Sequence, residues 1–327
     1  MLFSFCQNAA KKERLELGFY DYRGVSFVGM HYENKPEYVA HLREIGINWM
    51  SQMPFAFQRN GKPEINFNHA QQWWGESTKG VAITAKFAKE IEIKTLLKPQ
   101  IWMGGEYTGK FKLNSDEEWK IWEQNYSNFI LFFAKIADSL NLESFCVGNE
   151  LQPSVLHRAN FWNEIIDSIR TFYKGQLAYA ANWDEYRRVP FWDKLDWIGI
   201  NAYFPLCSEK LPPIKKLTLA WKKIIPTMKQ FSDSLKKPII FTEIGYKSVE
   251  SCAHEPWNPS SKTLSLEAQL NAYIAFFNAF HTEKEWFKGY FLWKWYPDPE
   301  KPDDPANLDY TPQRKLAEEI LKKANKK

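Results

Sequence analysis

The sequence predicts a single (β/α)8 barrel of the α/β class, and three observations support this. Short apolar runs alternate with amphipathic helical segments from residue 24 to the end of the chain, which is typical of a parallel sheet with helices outside it. Eight such strand–helix pairs fit within 327 residues, which favours a closed barrel over an open sheet. No Gly-x-Gly-x-x-Gly follows the first predicted strand, so a dinucleotide-binding fold lacks its main signature.

The predicted strands are apolar runs, and the predicted helices begin and end at residues that favour helix termini. Pro36 begins the first helix, Gly46 ends it, and the polar residues 114–116 cap the third helix. Strands are predicted at 25–29, 47–51, 94–98, 143–147, 177–181, 195–200, 238–242 and 289–292. Helices are predicted at 36–45, 78–91, 114–140, 161–173, 217–235, 265–280 and 311–324, with a short helical stretch after the fifth strand.

The composition argues against two kinds of partner. The chain has 43 basic and 39 acidic residues, and its net charge of +4 comes largely from lysine pairs rather than from a basic stripe. Nucleic-acid binding is therefore not expected. No apolar run approaches the ~18 residues that span a membrane. The 15 Trp residues are many for a chain of this length, and we expect some to form flat platforms at a cleft while others pack in the core.

The N-terminus predicts a short extension ahead of the barrel. Residues 1–23 are assigned to this extension and residues 24–327 to the barrel. The apolar start, followed by Cys6 and a polar stretch, resembles the end of a bacterial lipoprotein signal. This predicts a lipid anchor at Cys6 and a location outside the cytoplasm, in the periplasm or at the cell surface. Because the apolar segment is shorter than a signal peptide and bulky Phe5 precedes Cys6, a cytoplasmic location remains the alternative.

The other cysteines give no sign of a metal site. Cys146 lies in an apolar run and is expected to be buried. Cys207 and Cys252 fall in predicted loops and could pair in an exported protein, although a sequence does not fix connectivity. No spacing of Cys and His residues indicates zinc, and we expect neither a metal nor a cofactor.

Two glutamates are the main candidates for chemistry. Glu150 ends the apolar run before it, and Glu243 ends another. Either acid alone could cap a helix, but an ionisable group at the end of a buried strand is tolerated when it faces an open site. Barrel enzymes place their reactive groups at the carboxyl ends of the strands. The fourth and seventh predicted strands should therefore bring Glu150 and Glu243 to the same mouth.

Amides and aromatic rings are predicted around the two acids at this mouth. Pyranose faces stack on indoles, and sugar hydroxyls bond to amides and carboxylates, so the set predicts a carbohydrate site. The expected substrate-binding residues are His31, Trp49, Trp102, Asn149, Asn182, Trp183, Tyr203, Trp293 and Trp295. For each aromatic residue in this set, simple packing is the alternative.

The motifs resemble the retaining glycosidases of clan A, also called the 4/7 superfamily. Asn149-Glu150 after the fourth strand and Glu243 at the end of the seventh carry this resemblance, and Tyr203 and Trp293 extend it. Five segments are similar to glycoside hydrolase family 113, the β-mannanases: 42–49, 147–151, 179–185, 196–206 and 241–246.

The resemblance implies roles for individual residues. Glu243 would be the nucleophile, and Glu150 the acid/base in an endo-β-1,4-mannanase that retains configuration. Tyr203 would orient Glu243, Asn149 would bind the sugar 2-hydroxyl, and Trp293 would form the floor under the cleaved sugar. An apolar strand and a negative neighbour should both raise the pKa of Glu150.

Other functions remain open at this stage. An exo-acting β-mannosidase, or another β-glycosidase of clan A, would share the two acids. The polar segments 52–77, 247–262 and 296–310 are predicted loops that could close one end of the cleft. A carbohydrate-binding barrel without activity would not need both glutamates. A metal-dependent hydrolase would need histidines at the strand ends, where only His31 is expected.

Overall fold

The computed structural model describes residue 18, residues 20–301 and residues 306–325. The strands in this part of the chain are β1 (Tyr22–Phe27), β2 (Trp49–Gln52), β3 (Phe55–Gln58), β4 (Ile65–Asn66), β5 (Lys94–Leu97), β6 (Gln100–Trp102), β7 (Ser144–Asn149), β8 (Gln176–Asn182), β9 (Ile198–Asn201), β10 (Ile239–Ile244) and β11 (Phe287–Trp295). The helices are α1 (Pro36–Glu44), α2 (Thr78–Glu90), α3 (Asp116–Ser139), α4 (Gln152–His157), α5 (Ala159–Arg170), α6 (Ile214–Leu235), α7 (Leu266–Phe280) and α8 (Leu316–Asn325).

Eight of these strands form the predicted closed barrel. Their order around it is β1-β11-β10-β9-β8-β7-β5-β2, and every neighbouring pair is parallel. The carboxyl ends of all eight strands therefore meet at one mouth. The fourth barrel strand is β7, which ends at Asn149, and the seventh is β10, which contains Glu243.

The barrel interior and the helix layer form two packed cores. Small and large side chains fill the interior together, among them Leu96, Cys146, Ala178, Ile240 and Phe291. The opposite faces of the strands pack against the helices in a larger, aromatic-rich cluster. This division follows from the alternation of side chains along each strand.

Serine caps begin three of the helices. The Ser77, Ser115 and Ser265 side chains accept hydrogen bonds from the backbone N–H three residues further on, at the starts of α2, α3 and α7. Each bond satisfies one of the N–H groups that a helix start leaves unpaired. These local signals explain why the starts of α2, α3 and α7 lie within two residues of their predicted positions.

The segment predicted as a long loop after the second strand contributes two strands, β3 and β4, to a small three-stranded sheet. Strand β3 pairs with β4 in antiparallel fashion and with β6 in parallel fashion. Strand β6 follows β5 after a short break and ends at Trp102. The sequence did not indicate this sheet because β4 has only two residues and the segment is polar.

The barrel begins earlier than the sequence predicted. Tyr20 is 1% exposed and contacts Phe287 and Tyr290 edge-on, and β1 begins at Tyr22. Residues 20–23, which were assigned to the N-terminal extension, therefore belong to the barrel. Cys6 lies outside the described residues, so its lipidation and the location outside the cytoplasm stay predictions.

Three cysteines lie in the described part of the chain. Cys146, Cys207 and Cys252 are all buried, and each has a free thiol. Cys207 and Cys252 are therefore not joined. No helix among the described residues has the length and apolar character needed to cross a membrane.

Candidate active site

Irregular backbone at the end of β7 positions Glu150. The pairing of β7 with β8 changes register between Cys146 and Asn149, and Glu150 itself has φ of 53°. A residue other than glycine in this left-handed region costs roughly 1–3 kcal/mol and persists only where its surroundings hold it. The Glu150 N–H donates to the Ala180 carbonyl at 2.9 Å. Such bulges re-aim side chains, and here the carboxyl group reaches the barrel mouth.

Glu243 lies at a second register change. Strands β10 and β9 shift their pairing between Phe241 and Glu243. The Glu243 side chain is only 7% exposed, yet both of its oxygens have partners. The Tyr203 hydroxyl donates to Oε2 at 2.8 Å, and the Lys98 ammonium donates to Oε1 at 2.5 Å. These two donors stabilise a carboxylate at this position.

Lys98 is a site residue that the sequence analysis missed. It directly follows β5, and its side chain is completely buried. Its ammonium also lies 6.0 Å from the centre of the Trp293 ring. A buried lysine is rare unless it is paired. The sequence does show a lysine directly after an apolar strand. This pattern did not identify Lys98, because an exposed lysine is also expected where a strand leaves the core.

Asn201, at the end of β9, connects three strands at the mouth. Its Nδ2 donates to Asn149 Oδ1 at 3.0 Å and to Glu150 Oε1 at 2.9 Å. Its Oδ1 accepts a hydrogen bond from the Thr242 hydroxyl at 2.8 Å. Because the amide is held on both sides, it fixes the orientation of Glu150 relative to β9 and β10.

The electrostatic environment separates the two glutamates. Burial raises the pKa of Glu150 well above its usual range, and the negative charge of Glu243 raises it further; the Asn201 hydrogen bond and the Lys98 charge oppose this rise. Burial and the same Glu243 charge raise the pKa of Tyr203 far above neutrality. Glu150 is therefore set up to hold a proton near neutral pH, and Tyr203 stays a hydrogen-bond donor.

A third buried acid supports the segment around Glu150. Glu185 accepts hydrogen bonds from the Tyr179 hydroxyl at 2.8 Å and from the Asn182 N–H at 3.1 Å. Tyr179 in turn accepts a bond from the N–H of Leu151. Burial raises the pKa of Glu185 to about 7. This acid has no solvent-exposed surface, so it acts as a brace.

The structure brings most of the predicted aromatic and amide residues to the mouth. Trp293 is half-buried at the end of the eighth barrel strand, beside Lys98. Trp183 stacks on Trp257, with ring centres 5.7 Å apart and an angle of 19°. Three further residues lie on this side. The Asn182 side chain donates a hydrogen bond to Asp184, and Trp102 is exposed. The His31 ring is 4.9 Å from the Tyr32 ring and 6.2 Å from the Trp73 ring.

Trp49 is not at this mouth, so that expectation was wrong. It is 4% exposed and begins β2. Its ring stacks on Tyr22, with centres 4.5 Å apart, and the Lys94 ammonium lies 5.6 Å from it. Tyr22 and Lys94 begin β1 and β5, so Trp49 fills the opposite end of the barrel. The predicted strand started two residues too early, which moved Trp49 towards its middle.

Trp295 is also not part of the site. It is fully buried in the outer core, and its ring lies 6.1 Å from that of His41 on α1. Regular alternation from Trp293 would have directed it inward. The β1–β11 pairing changes register before Phe27 meets Trp295, and this irregularity reverses the side on which Trp295 lies.

No group of three His, Cys, Asp or Glu side chains in the described ranges is arranged to hold a metal ion. The reactive groups at the mouth are instead a carboxyl group that favours its protonated form and a carboxylate held by two donors. A (β/α)8 barrel that carries such a pair on its fourth and seventh strands has the equipment of a glycoside hydrolase.

Comparison with known proteins agrees with this class. The profile of Glycoside Hydrolase Family 113 matches residues 27–315, and the chain belongs to this family. It is therefore a glycoside hydrolase. A search of curated protein sequences gives no match.

Solved structures show the same fold. The GH113 β-mannanase AaManA from Alicyclobacillus acidocaldarius, in complex with ManMIm, is 27% identical, with a TM-score of 0.80, and the match covers 95% of this chain and 98% of that one. A complex of a GH113 β-1,4-mannanase is 24% identical, with a TM-score of 0.79 and coverage of 94% and 99%. A β-glucuronidase from Ruminococcus gnavus shares only the fold, at 13% identity, with a TM-score of 0.62 and coverage of 94% and 50%.

Proposed function

We propose that this protein is an endo-β-1,4-mannanase that hydrolyses mannan or manno-oligosaccharides with retention of configuration. The observation that carries the proposal is the difference between the two acids. Glu243 has a lysine and a tyrosine donating to its carboxylate, whereas Glu150 has a raised pKa. Retaining hydrolysis needs one ionised and one protonated carboxyl group, about 5–5.5 Å apart.

In the first step, Glu243 attacks the anomeric carbon of the sugar that rests on Trp293. The bond from this carbon to the glycosidic oxygen breaks, and Glu150 gives its proton to that oxygen, so the leaving chain departs with a neutral hydroxyl group. A covalent glycosyl–enzyme ester forms on Glu243. Tyr203 and Lys98 hold the carboxylate in position for this attack.

In the second step, the ester has removed the negative charge of Glu243. Since that charge helped to raise the pKa of Glu150, the Glu150 carboxylate formed in the first step is now stabilised relative to its acid. It takes a proton from a water molecule, whose oxygen attacks the anomeric carbon and releases Glu243. Glu150 then carries a proton again, and two inversions give net retention.

Mannose is the proposed sugar because of the family and of one relative. The 27% identical structure is of a β-mannanase, and Asn149 is held by Asn201 at the mouth. In this proposal Asn149 bonds the 2-hydroxyl, the group whose axial direction distinguishes mannose. Hydrogen bonds to this hydroxyl strengthen in the transition state of retaining enzymes.

Endo action is favoured by the aromatic rings around the mouth. Trp102 follows the third barrel strand, and Trp183 with Trp257 lies beyond the fifth. Aromatic rings on both sides of the fourth strand suit the binding of a polysaccharide chain that lies across the mouth. The alternative is an exo-acting β-mannosidase, in which one end of the substrate cleft would be closed.

The test is hydrolysis of mannohexaose by the wild-type protein and by Glu150→Ala and Glu243→Ala. We expect a ladder of shorter oligosaccharides from the wild type and almost none from either variant. Mannose as the sole product would replace endo with exo action. Unchanged hydrolysis by Glu243→Ala would refute the mechanism. A binding barrel without activity would give no products at all.

A further inference from the structure

The ring of Tyr310 contacts Tyr203, the side chain that donates a hydrogen bond to Glu243. The two ring centres are 6.3 Å apart, and the ring planes lie at 68° to each other. Aromatic rings attract each other in this edge-to-face arrangement. Both residues are buried, with Tyr203 6% and Tyr310 9% exposed. Tyr310 therefore contacts the ring whose orientation decides whether the 2.8 Å hydrogen bond to Glu243 can form.

Tyr203 needs support from such a neighbour because it lies beyond the end of β9. The strand ends at Asn201, and the backbone then turns, with the Tyr203 N–H donating to the Asn201 carbonyl at 3.0 Å. The Ala202 N–H donates to the Glu243 carbonyl at 2.7 Å, so the main chain stays beside β10. Since β9 does not continue to Tyr203, packing against its neighbours must fix the direction of its side chain.

Backbone carbonyl groups hold the tip of the Tyr310 ring. The Tyr310 hydroxyl lies 2.8 Å from the Pro256 carbonyl oxygen and 2.9 Å from that of Trp257, and it can donate to either of them. Burial raises the pKa of this hydroxyl far above its ordinary value, and the charges of Asp309 and Glu243 raise it further. The hydroxyl therefore keeps its proton and remains a donor, and a ring held at its tip has little freedom to swing away from Tyr203.

The backbone of Tyr310 is connected to the strand that carries Glu243. The amide nitrogen of Gln269, on α7, donates to the Tyr310 carbonyl at 3.1 Å and to the Tyr246 carbonyl at 2.9 Å. Tyr246 lies two residues after β10 ends, and Gln269 has no exposed surface. Because one buried side chain bonds to both segments, it fixes the position of Tyr310 relative to Glu243.

Charged groups fix the segment that presents Tyr310. The Asp309 carboxylate accepts a hydrogen bond from the Tyr296 hydroxyl at 2.7 Å and pairs with Lys294 at 3.2 Å. The Lys315 ammonium donates to the Asp309 carbonyl and to the Ser248 hydroxyl, both at 3.0 Å. Lys315 is 5% exposed, and lysine is rarely buried unless it is paired. These bonds make the segment more rigid than most connections at a protein surface.

We propose that Tyr310 is a positioning residue for Glu243, whose ring holds the Tyr203 ring so that the Tyr203 hydroxyl stays on the carboxylate. Tyr310 acts through Tyr203 and does not touch the reacting atoms. The inference rests on the proposed function, since it takes Glu243 to be the nucleophile. The contribution of Tyr310 to the rate should therefore vanish when the Tyr203 hydroxyl is absent.

The test is a double-mutant cycle on kcat and KM for mannohexaose, with Tyr203→Phe, Tyr310→Leu and the variant that carries both changes. Each single change should lower kcat by roughly tenfold to a hundredfold, the usual scale when a reacting group is misplaced, and should change KM less. The double variant should lose no more than Tyr203→Phe alone. Tyr310→Phe keeps the ring contact, so its kcat should stay near that of the wild type.

Tyr173→Leu is the matched control at the opposite end of the barrel. Tyr173 is 2% exposed, its ring lies 6.1 Å from that of Phe145 at an angle of 67°, and its hydroxyl donates to the Leu142 carbonyl at 2.8 Å. Its replacement should lower the urea midpoint, as Tyr310→Leu does, but leave kcat of the folded protein unchanged. Tyr310→Met repeats the cycle with a flexible side chain that refills part of the space, and circular dichroism checks that each variant is folded.

The outcomes separate this inference from the proposed function. If Tyr310→Leu lowers kcat by the same factor with Tyr203 and with Phe at position 203, or lowers it in neither case, the positioning role is wrong, while hydrolysis of mannohexaose that Glu243→Ala abolishes still upholds the function. If the wild type leaves mannohexaose intact, the proposed substrate is wrong, and the cycle is run on whichever aryl β-mannoside, glucoside, galactoside or xyloside the wild type cleaves best. A loss confined to the protein with Tyr203 would then support the positioning role, and a wild type that cleaves none of these substrates would refute both proposals.

Discussion

The Lys98 ammonium donates a hydrogen bond to Glu243 at 2.5 Å, and both side chains are almost completely buried. A buried ion pair contributes little net stability, but removal of one partner leaves an uncompensated charge. The role that best explains this ion pair is therefore to hold Glu243 in position at the mouth, not to stabilise the fold. The pair places a cation beside Glu243, the proposed nucleophile, and 6.0 Å from the centre of the Trp293 ring.

Replacement of Lys98 by methionine should reduce both stability and activity. Breaking a buried pair costs on the order of 3–5 kcal/mol, and the loss of an orienting donor should lower kcat far more than it changes KM. Urea unfolding and steady-state kinetics measure the two effects. Lys194→Met is the matched control, because Lys194 pairs with Asp167 at the surface, where such a pair is worth less than about 1 kcal/mol.

Lys98→Arg provides a second comparison, since it keeps the charge but changes the geometry. We expect it to restore more of the stability than of kcat. Equal activity of Lys98→Met and the wild type would show that the lysine has no part in orienting Glu243.

Substitution of Asn201 by alanine should shift the pH dependence of activity. The Asn201 bond lowers the pKa of Glu150, because it favours the ionised form, so its removal should raise that pKa further. The first step of the proposed mechanism needs Glu150 protonated, and the alkaline limb of the kcat/KM profile should therefore move to higher pH while the maximum rate falls.

The control for this prediction is Asn48→Ala, at the opposite end of the barrel. The Asn48 side-chain amide is likewise held on both sides, because it accepts a hydrogen bond from the Arg23 N–H and donates one to the Asp21 carbonyl. The Asn48→Ala substitution should leave the pH profile of kcat/KM unchanged. An alkaline limb that moves to lower pH in Asn201→Ala would contradict the assignment of Glu150 as the acid.

Glu185 should make folding stability depend on pH. Burial raises its pKa from 4.5 to about 7, so the folded state binds a proton more tightly than the unfolded state. The contribution to stability is then fully present below pH 4.5 and is lost as the pH rises through 7. Glu185→Gln removes this titration and keeps a hydrogen-bond acceptor, so its unfolding free energy relative to the wild type should rise across this interval.

Urea unfolding of both proteins at several pH values measures this difference. The comparison removes the contributions of other acids, which titrate in both proteins. Glu164→Gln, on the exposed surface of α5, is the control, and its unfolding free energy should change with pH in parallel with that of the wild type. A parallel course for Glu185→Gln as well would mean that the Glu185 carboxyl has similar proton affinity in the folded and unfolded states.

The barrel and its two acids could be predicted because their signals are local. Each strand is an apolar run, and although either acid alone could cap a helix, their positions at the ends of the fourth and seventh strands singled out Glu150 and Glu243. Parallel strands in a closed sheet then place both acids at one mouth, whatever the details of register.

Features that depend on register or on distant partners could not be predicted. Trp49 and Trp295 were misassigned because a shift of one or two residues decides which end or which face a side chain occupies. Lys98 needed a partner 145 positions away to identify it. The small sheet of β3, β4 and β6 depends on strands too short to leave a periodic pattern.

The most direct test of the central claim is the anomeric form in which the newly formed reducing end is released from mannohexaose. Proton NMR during the first minutes of hydrolysis, before mutarotation, distinguishes the two forms. Attack by Glu243 followed by attack of water assisted by Glu150 predicts the β-anomer first, with the α-anomer appearing later. Initial release of the α-anomer would show a single displacement by water and would contradict the role of Glu243 as the nucleophile.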